Sequence, residues 1–172
     1  MNDYYIIDEN STEYPQKLKE INDRPKKLYC KGDLSLLNTR CIAMVGSRKY
    51  TMYGKYTAER IGRKMAEAGI PVVSGLAAGI DSFSHIGVLD GDGKPIAVLG
   101  TGLNVTYPKQ NKKLQEEVAE RGLLISEYEP DCEARPHTFP RRNRIIAGMA
   151  ESIILIEASF KSGALITANM CL

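Results

Sequence analysis

The 172-residue chain has no tryptophan, two histidines, four cysteines and no long apolar run. Each shortage removes a class of protein. Cys30, Cys41, Cys132 and Cys171 are scattered, with no CxxC pair and no clustered histidines. Neither a zinc site nor a disulfide framework is therefore expected, and isolated thiols in strand-like stretches are the simpler reading. Segments such as CIAMV and SIILIEA fall far short of the ~20 apolar residues a membrane helix needs. The N-terminal MNDYYIIDEN lacks the basic-then-apolar pattern of a secretion signal, so a cytoplasmic protein without a membrane partner is expected. The formal net charge is only +2, so any affinity for nucleic acid has to come from a local patch and not from the bulk field. What remains, 43% hydrophobic and 26% charged residues, fits one globular domain with a sizeable core.

Five short apolar runs recur along the chain: CIAMV (41–45), IPVVSG (70–75), PIAVLG (95–100), GLLISE (122–127) and SIILIEA (152–158). Each suits a buried parallel strand. The stretches between them, 52–68, 79–90, 110–121 and 141–150, carry apolar residues near helical spacing, for instance Ile61, Met65 and Ala68. Strands alternating with helices predict an α/β architecture: an extended Rossmann-like fold whose mostly parallel sheet is covered by helices on both faces. Residues 1–40 differ in texture and read as a short helix and an extended piece packing on the core. Residues 41–172 read as the Rossmann-like domain itself. The final SGALITANMCL starts like a helix and stops, which suggests a fragment of a longer chain.

Glycines and small polar residues fall where such a fold binds ligands, beyond the carboxyl ends of the strands. The candidate phosphate-binding loops hold Gly46 and Ser47; Ser74, Gly75 and Gly79; Gly100, Thr101 and Gly102; and Ser162 and Gly163. The pattern is neither a dinucleotide fingerprint nor a Walker loop, since GxGxxG and GxxxxGK[ST] are both absent. No nucleotide cofactor is expected.

Positive charge is concentrated in the segment TFPRRNR (138–144). Arginine forks grip phosphates bidentately, and a neighbouring aromatic ring offers a stacking surface for an unpaired base. Phe139, Arg141, Arg142, Asn143 and Arg144 are therefore candidate single-strand contacts, joined by Arg48 after the first run and Lys109 after Tyr107 and Pro108. Simpler readings stand beside these. Arg48 also fits a surface or capping arginine, Lys112 and Lys113 a solvated helix start, and Arg144 an ion pair with Glu127 or Glu157. Catalytic signals are thin. Asp81 and His85, at i and i+4, could pair, and His137 could carry charge below about pH 6.5. No GxSxG elbow surrounds any serine.

Taken together, GSR (46–48), SGLAAGID (74–81), AVLGTGLNVTYPKQN (97–111), GLLISEY (122–128), FPRRNRIIAGMAE (139–151) and EASFKSGALIT (157–167) closely resemble the DNA-processing protein A family, also called Smf. The resemblance runs in order from about residue 13 to the end. It implies an extended Rossmann fold and a non-enzymatic protein that binds single-stranded DNA and helps load the recombinase RecA during natural transformation. Arg48, Lys109, Phe139, Arg142 and Arg144 take the places of the family's DNA-contacting residues, with Arg141 at a variable position. It also implies a homodimer, with much of the dimer and RecA surfaces expected beyond this chain's last residue. The competing reading is a nucleotide-binding or nucleoside-monophosphate phosphoribohydrolase-like protein of the same superfamily fold. Those enzymes resemble one another through PGGxGTxxE, whereas the matching loop here, SFKSGALIT, has no glutamate at that place.

Overall fold

A computed structural model describes residues 3–158. In chain order it contains β1 (Tyr5–Asp8), β2 (Lys27–Gly32), β3 (Ile42–Gly46), α1 (Met52–Glu67), β4 (Val72–Ser74), α2 (Ile80–Asp90), β5 (Pro95–Val98), α3 (Lys112–Arg121), β6 (Leu123–Ser126), α4 (Thr138–Met149) and β7 (Ser152–Ile156). Short 3-10 turns cover Gln16–Glu20, Leu34–Asn38 and Lys109–Asn111. The five apolar runs become β3 to β7. Among the described residues they form a seven-stranded sheet of order β1-β2-β6-β5-β4-β3-β7. The pairs from β6 across to β7 are parallel, and β1 and β2 add antiparallel at the β6 edge.

Alternation along the strands sends side chains to two cores. Ala43, Val45, Val73, Ile96, Val98, Leu123 and Ile125 pack with Ile145, Ile146 and Met149 of α4 on one face. On the other face Met44 and Val72 meet Ala58 of α1 and Ile80 and Val88 of α2, while Ala97 and Leu124 meet Val118 of α3. This division follows from connection handedness. The chain steps β3-α1-β4-α2-β5-α3-β6 across the sheet in one direction, and α4 carries it back from β6 to β7, so right-handed crossovers put α4 on the opposite face from α1 to α3. Each fully buried aliphatic side chain contributes about 1.5–3 kcal/mol.

The first forty residues depart from expectation in two ways. The expected short helix is a 3-10 turn that buries Leu18. Tyr5–Asp8 forms an edge strand whose single buried residue is Ile7, which is too little alternation to advertise a strand. The extended piece is β2, whose Leu28 and Cys30 join the α4-side core together with Tyr14 and Leu18.

α1 is capped by Thr51, whose hydroxyl oxygen accepts from the Gly54 N–H at 3.0 Å. Its buried stripe is Gly54, Ala58 and Gly62, a row of small residues that brings the helix close to α2. Ile61 and Met65 pack at its margin, but Ala68 of the expected apolar face is the exposed residue after the helix ends. A Cβ on Gly62 would lie 2.6 Å from the Ser84 carbonyl oxygen, and one on Gly87 would overlap the Glu59 backbone. Gly87→Ala should therefore force the two helices apart and cost about 1–3 kcal/mol. A urea titration should read this as a lower midpoint at unchanged slope.

Candidate nucleic-acid interface

The carboxyl ends of β3, β4, β5 and β6 and the start of α4 meet along one rim. Gly79, at φ 87°, precedes α2 and lies against the β3–α1 loop, where a Cβ would meet the Arg48 backbone. The Ile80 N–H donates to the Ser47 carbonyl at 3.2 Å, which ties that loop to the start of α2. Arg48 is left exposed on the rim, with its guanidinium carbon 5.5 Å from the centre of the Phe139 ring. Phe139 lies 5.0 Å from Tyr107, the ring planes inclined at 40°. It fits closely over the β5 end, since a Cβ on Gly100 would come 2.6 Å from its ring. Tyr107 is 48% exposed, and two residues on stands Lys109, also exposed. Consecutive contacts thus link a cation and two aromatic rings, and a second exposed cation follows two residues after the outer ring.

Asn111 fixes the loop that carries Tyr107 and Lys109. It is buried, and its side-chain amide donates to the Leu76 carbonyl at 2.8 Å and to the Ser82 hydroxyl at 2.9 Å. Leu76 itself adopts φ 53°, a conformation a leucine holds only where its surroundings impose it. Sequence reasoning passed over both Tyr107 and Asn111. The exposed ring beside Pro108 and Lys109 was the available signal for Tyr107, while nothing local marks Asn111 as an anchor.

The arginines of TFPRRNR do not share a surface. The expected helix at 141–150 instead begins at Thr138, so these residues lie in its first two turns, about 100° apart per residue. Arg142 points inward and is 3% exposed. It donates to the Gly75 carbonyl at 2.6 Å, to the Val98 carbonyl, and to the Asn143 side-chain oxygen at 3.1 Å. Burial pushes its pKa down to about 10 against the opposing pull of Asp81, so it remains a cation at neutral pH. Its guanidinium faces the sheet ends and not solvent, unlike the exposed contact expected from the sequence. Arg144 faces the other way. It makes a two-pronged pair with Glu127 at 2.8 and 2.7 Å, and its Nε donates to the Asp23 carbonyl at 2.7 Å. Of its two readings the ion pair describes its position, and that pair fastens α4 to the end of β6 and to the N-terminal segment. Arg141 is exposed, 3.7 Å from Glu127 and 3.8 Å from Asp23. Asn143 is half-buried beside Arg142.

The candidate phosphate loops act mainly as packing devices. The Gly75 N–H donates to the Asp81 carboxylate at 3.2 Å and the Gly102 N–H to the Cys132 carbonyl at 2.8 Å. The hydroxyls of Ser47, Ser74 and Thr101 donate to the carbonyls of Lys49, Met44 and Val105. Each hydroxyl has a single proton, and Gly75, Gly102, Ser74 and Thr101 are buried besides. Gly46 and Ser47 remain half-exposed at the rim. Ser162 and Gly163 lie outside the described residues.

Asp81 and His85 do not pair. The Asp81 carboxylate is buried against the N–H groups of Gly75, Ala77 and Gly46, and burial raises its pKa. Both nitrogens of the fully buried His85 ring lack a hydrogen-bond partner among the described residues. His137 is exposed at the rim. The described residues contain no group of three or more metal-ligating side chains and no helix long and apolar enough to cross a membrane.

Comparison with known proteins agrees with this geometry. The family model of DNA recombination-mediator protein A matches residues 5–172. A DNA processing protein DprA from Streptococcus pneumoniae is 45% identical over 156 residues, covering 91% of this chain and 55% of the relative. The X-ray structure of DNA processing protein A from Streptococcus pneumoniae superposes with a TM-score of 0.93 at 41% identity, covering 99% of this chain and 60% of that one. DNA processing protein A from Helicobacter pylori, whose structure was described for its single-stranded DNA binding mode, gives a TM-score of 0.88 at 33% identity and covers 97% and 75% of the two chains. The mostly parallel Rossmann-like sheet is thus shared. The chain spans about half the length of the curated relatives it matches.

Three outcomes follow for the rim and the buried polar cluster beneath it. Arg142→Ala leaves the Gly75 and Val98 carbonyls and the Asp81 carboxylate without their cation, and should cost about 3–5 kcal/mol. Arg48→Ala, at an exposed position, should stay within about 0.5 kcal/mol of the parent in the same urea titration. His85 has its pKa held down at about 3, first by burial and then by the Arg142 charge. The unfolded chain binds this proton below about pH 6.5 and the folded chain does not, so stability should fall with falling pH, by about 2 kcal/mol at pH 5. His85→Leu should remove that part of the slope in titrations compared at about pH 7 and pH 5.

Proposed function

Because the chain belongs to the DNA recombination-mediator protein A family, we propose that its rim is a track for single-stranded DNA. The observation that carries this reading is the contact series Arg48, Phe139 and Tyr107, with exposed Lys109 two residues beyond Tyr107. Arg48 and Lys109 take backbone phosphates as exposed cations at either end of the series. The exposed Tyr107 ring, backed by Phe139, stacks an unpaired base without regard to its identity, because every base has a π-face. Duplex DNA hides those faces, so the preference is for single strands. The likeness to the Helicobacter pylori protein described for single-stranded DNA binding supports the same assignment.

Within this reading Arg142 is a positioning residue. It holds the β4–α2 loop and the end of β5 together beneath the track, and Arg144 does the same between α4 and the end of β6. Arg141, exposed and only loosely paired, is the member of the cluster free to turn toward a phosphate. The activity is binding and not catalysis, and base release from a nucleotide has no observation in its favour: Asp81 and His85 lie buried beneath the rim. Protection of an incoming strand, hand-over to the RecA recombinase and pairing with a second copy of the chain belong to the same reading.

Contact with about 4 phosphates gives a log–log slope of affinity against salt near −3 for single strands. Fluorescence anisotropy with a single-stranded oligonucleotide should show that slope, a preference over the matching duplex, and weaker binding without sequence preference in both Arg48→Ala and Lys109→Ala. Affinity independent of salt, or unchanged in both variants, would overturn the assignment.

A further inference from the structure

The outer face of α1 carries a second aromatic surface that the rim does not use. Tyr53 and Tyr56 are 76% and 62% exposed and Met52 is 73% exposed. Just before the helix, Tyr50 packs edge-on against Phe83 at 4.6 Å. Single exposed apolar side chains are ordinary on a protein surface, but a contiguous group of this size marks an interaction site. Nothing in the fold requires these rings. α1 is anchored through its opposite face, where Gly54, Ala58 and Gly62 are buried.

We propose that this face extends the single-stranded DNA track beyond the rim, with successive bases stacking on Tyr53 and Tyr56. The inference rests on the rim reading. Two observations select nucleic acid as the occupant. The first is charge. Residues 48–60 hold Arg48, Lys49, Lys55 and Arg60 against the single acid Glu59. Arg60 lies over the Tyr56 ring at 5.9 Å, which puts a cation beside the second ring of the stripe, and Lys55 lies over Phe83 of α2 at 5.1 Å. The nearby carboxylates are engaged: Glu59 lies 3.8 Å from Lys55, and Glu157 accepts from the Thr51 N–H at 2.8 Å and from its hydroxyl. The second is continuity. Arg48, at the end of the rim series, is three residues before the helix cap Thr51, and the first turn of α1 contains no acid. The positive end of a 16-residue helix therefore adjoins the place where the strand leaves Arg48. Tyr53 and Tyr56 stand about one helical turn apart on one face, with Arg60 one turn further.

The test measures anisotropy at fixed salt with two oligothymidylates, of about 5 and about 20 nucleotides, using the full chain. In Tyr53→Ala/Tyr56→Ala the affinity advantage of the long strand over the short one should fall about tenfold or more, as expected for lost base stacking. The salt slope should stay unchanged, because no phosphate contact is removed. Tyr53→Phe/Tyr56→Phe, which keeps the π-faces, should retain the advantage. An unchanged advantage in the alanine pair overturns the inference. So does an unchanged advantage accompanied by loss of self-association in sedimentation, which would assign the face to a second copy of the chain. Arg48→Ala in the same assay separates this from the parent reading. If Arg48→Ala weakens both strands while the tyrosine pair does nothing, only the extension fails. If the tyrosine pair acts while Arg48→Ala is silent, the helix face stands and the rim assignment falls.

Discussion

The architecture of the rim depends on one buried cation. Arg142 sits at the junction of the β4–α2 loop, the end of β5 and the start of α4, and its guanidinium donates to carbonyls of the first two. A charge without water must be met by hydrogen bonds and an opposite charge, and Asp81 supplies the latter from the start of α2. Gly75 is required at the contact, since a Cβ there would lie 2.5 Å from the guanidinium. The arginine thereby determines where three loops end, and so where Phe139, one helical turn before it, meets Arg48 and Tyr107.

From that constraint the division of labour among basic residues follows. α4 rotates each arginine of TFPRRNR to a different environment. Arg142 enters the sheet end, Arg144 pairs with Glu127, and Arg141 stays in water. Arg48 and Lys109 stay at the surface as well, in loops that flank the Phe139–Tyr107 ring pair. A protein of nearly neutral charge can in this way keep a positive and aromatic strip without a strongly basic surface elsewhere.

Much of the fold was legible in the residues. The five apolar runs and the helical stretches between them correspond to β3 to β7 and α1 to α4, because a buried parallel strand needs a continuous apolar run and little else in the sequence imitates it at that length. The edge strand β1 was not legible, since an edge strand with one buried residue leaves no pattern. At the site, the glycine-rich loops at the strand ends carry close internal packing that the sequence did not show. Glycine marks close backbone approach, and here the approaching partners are the protein's own side chains and carbonyls, as at Gly75, Gly100 and Gly102.

By itself the sequence determined the order of β3 to β7 and α1 to α4, the sheet's apolar strands and the family, because these rest on residue periodicity and on motifs that are local along the chain. Tertiary structure alone decided which cation faces water, which ring backs which, and that Arg142 belongs to the interior. A guanidinium reads the same in sequence whether it meets a phosphate or a carbonyl. Its role depends on what packs against it from β4, β5 and α2, and those partners are distant in the chain.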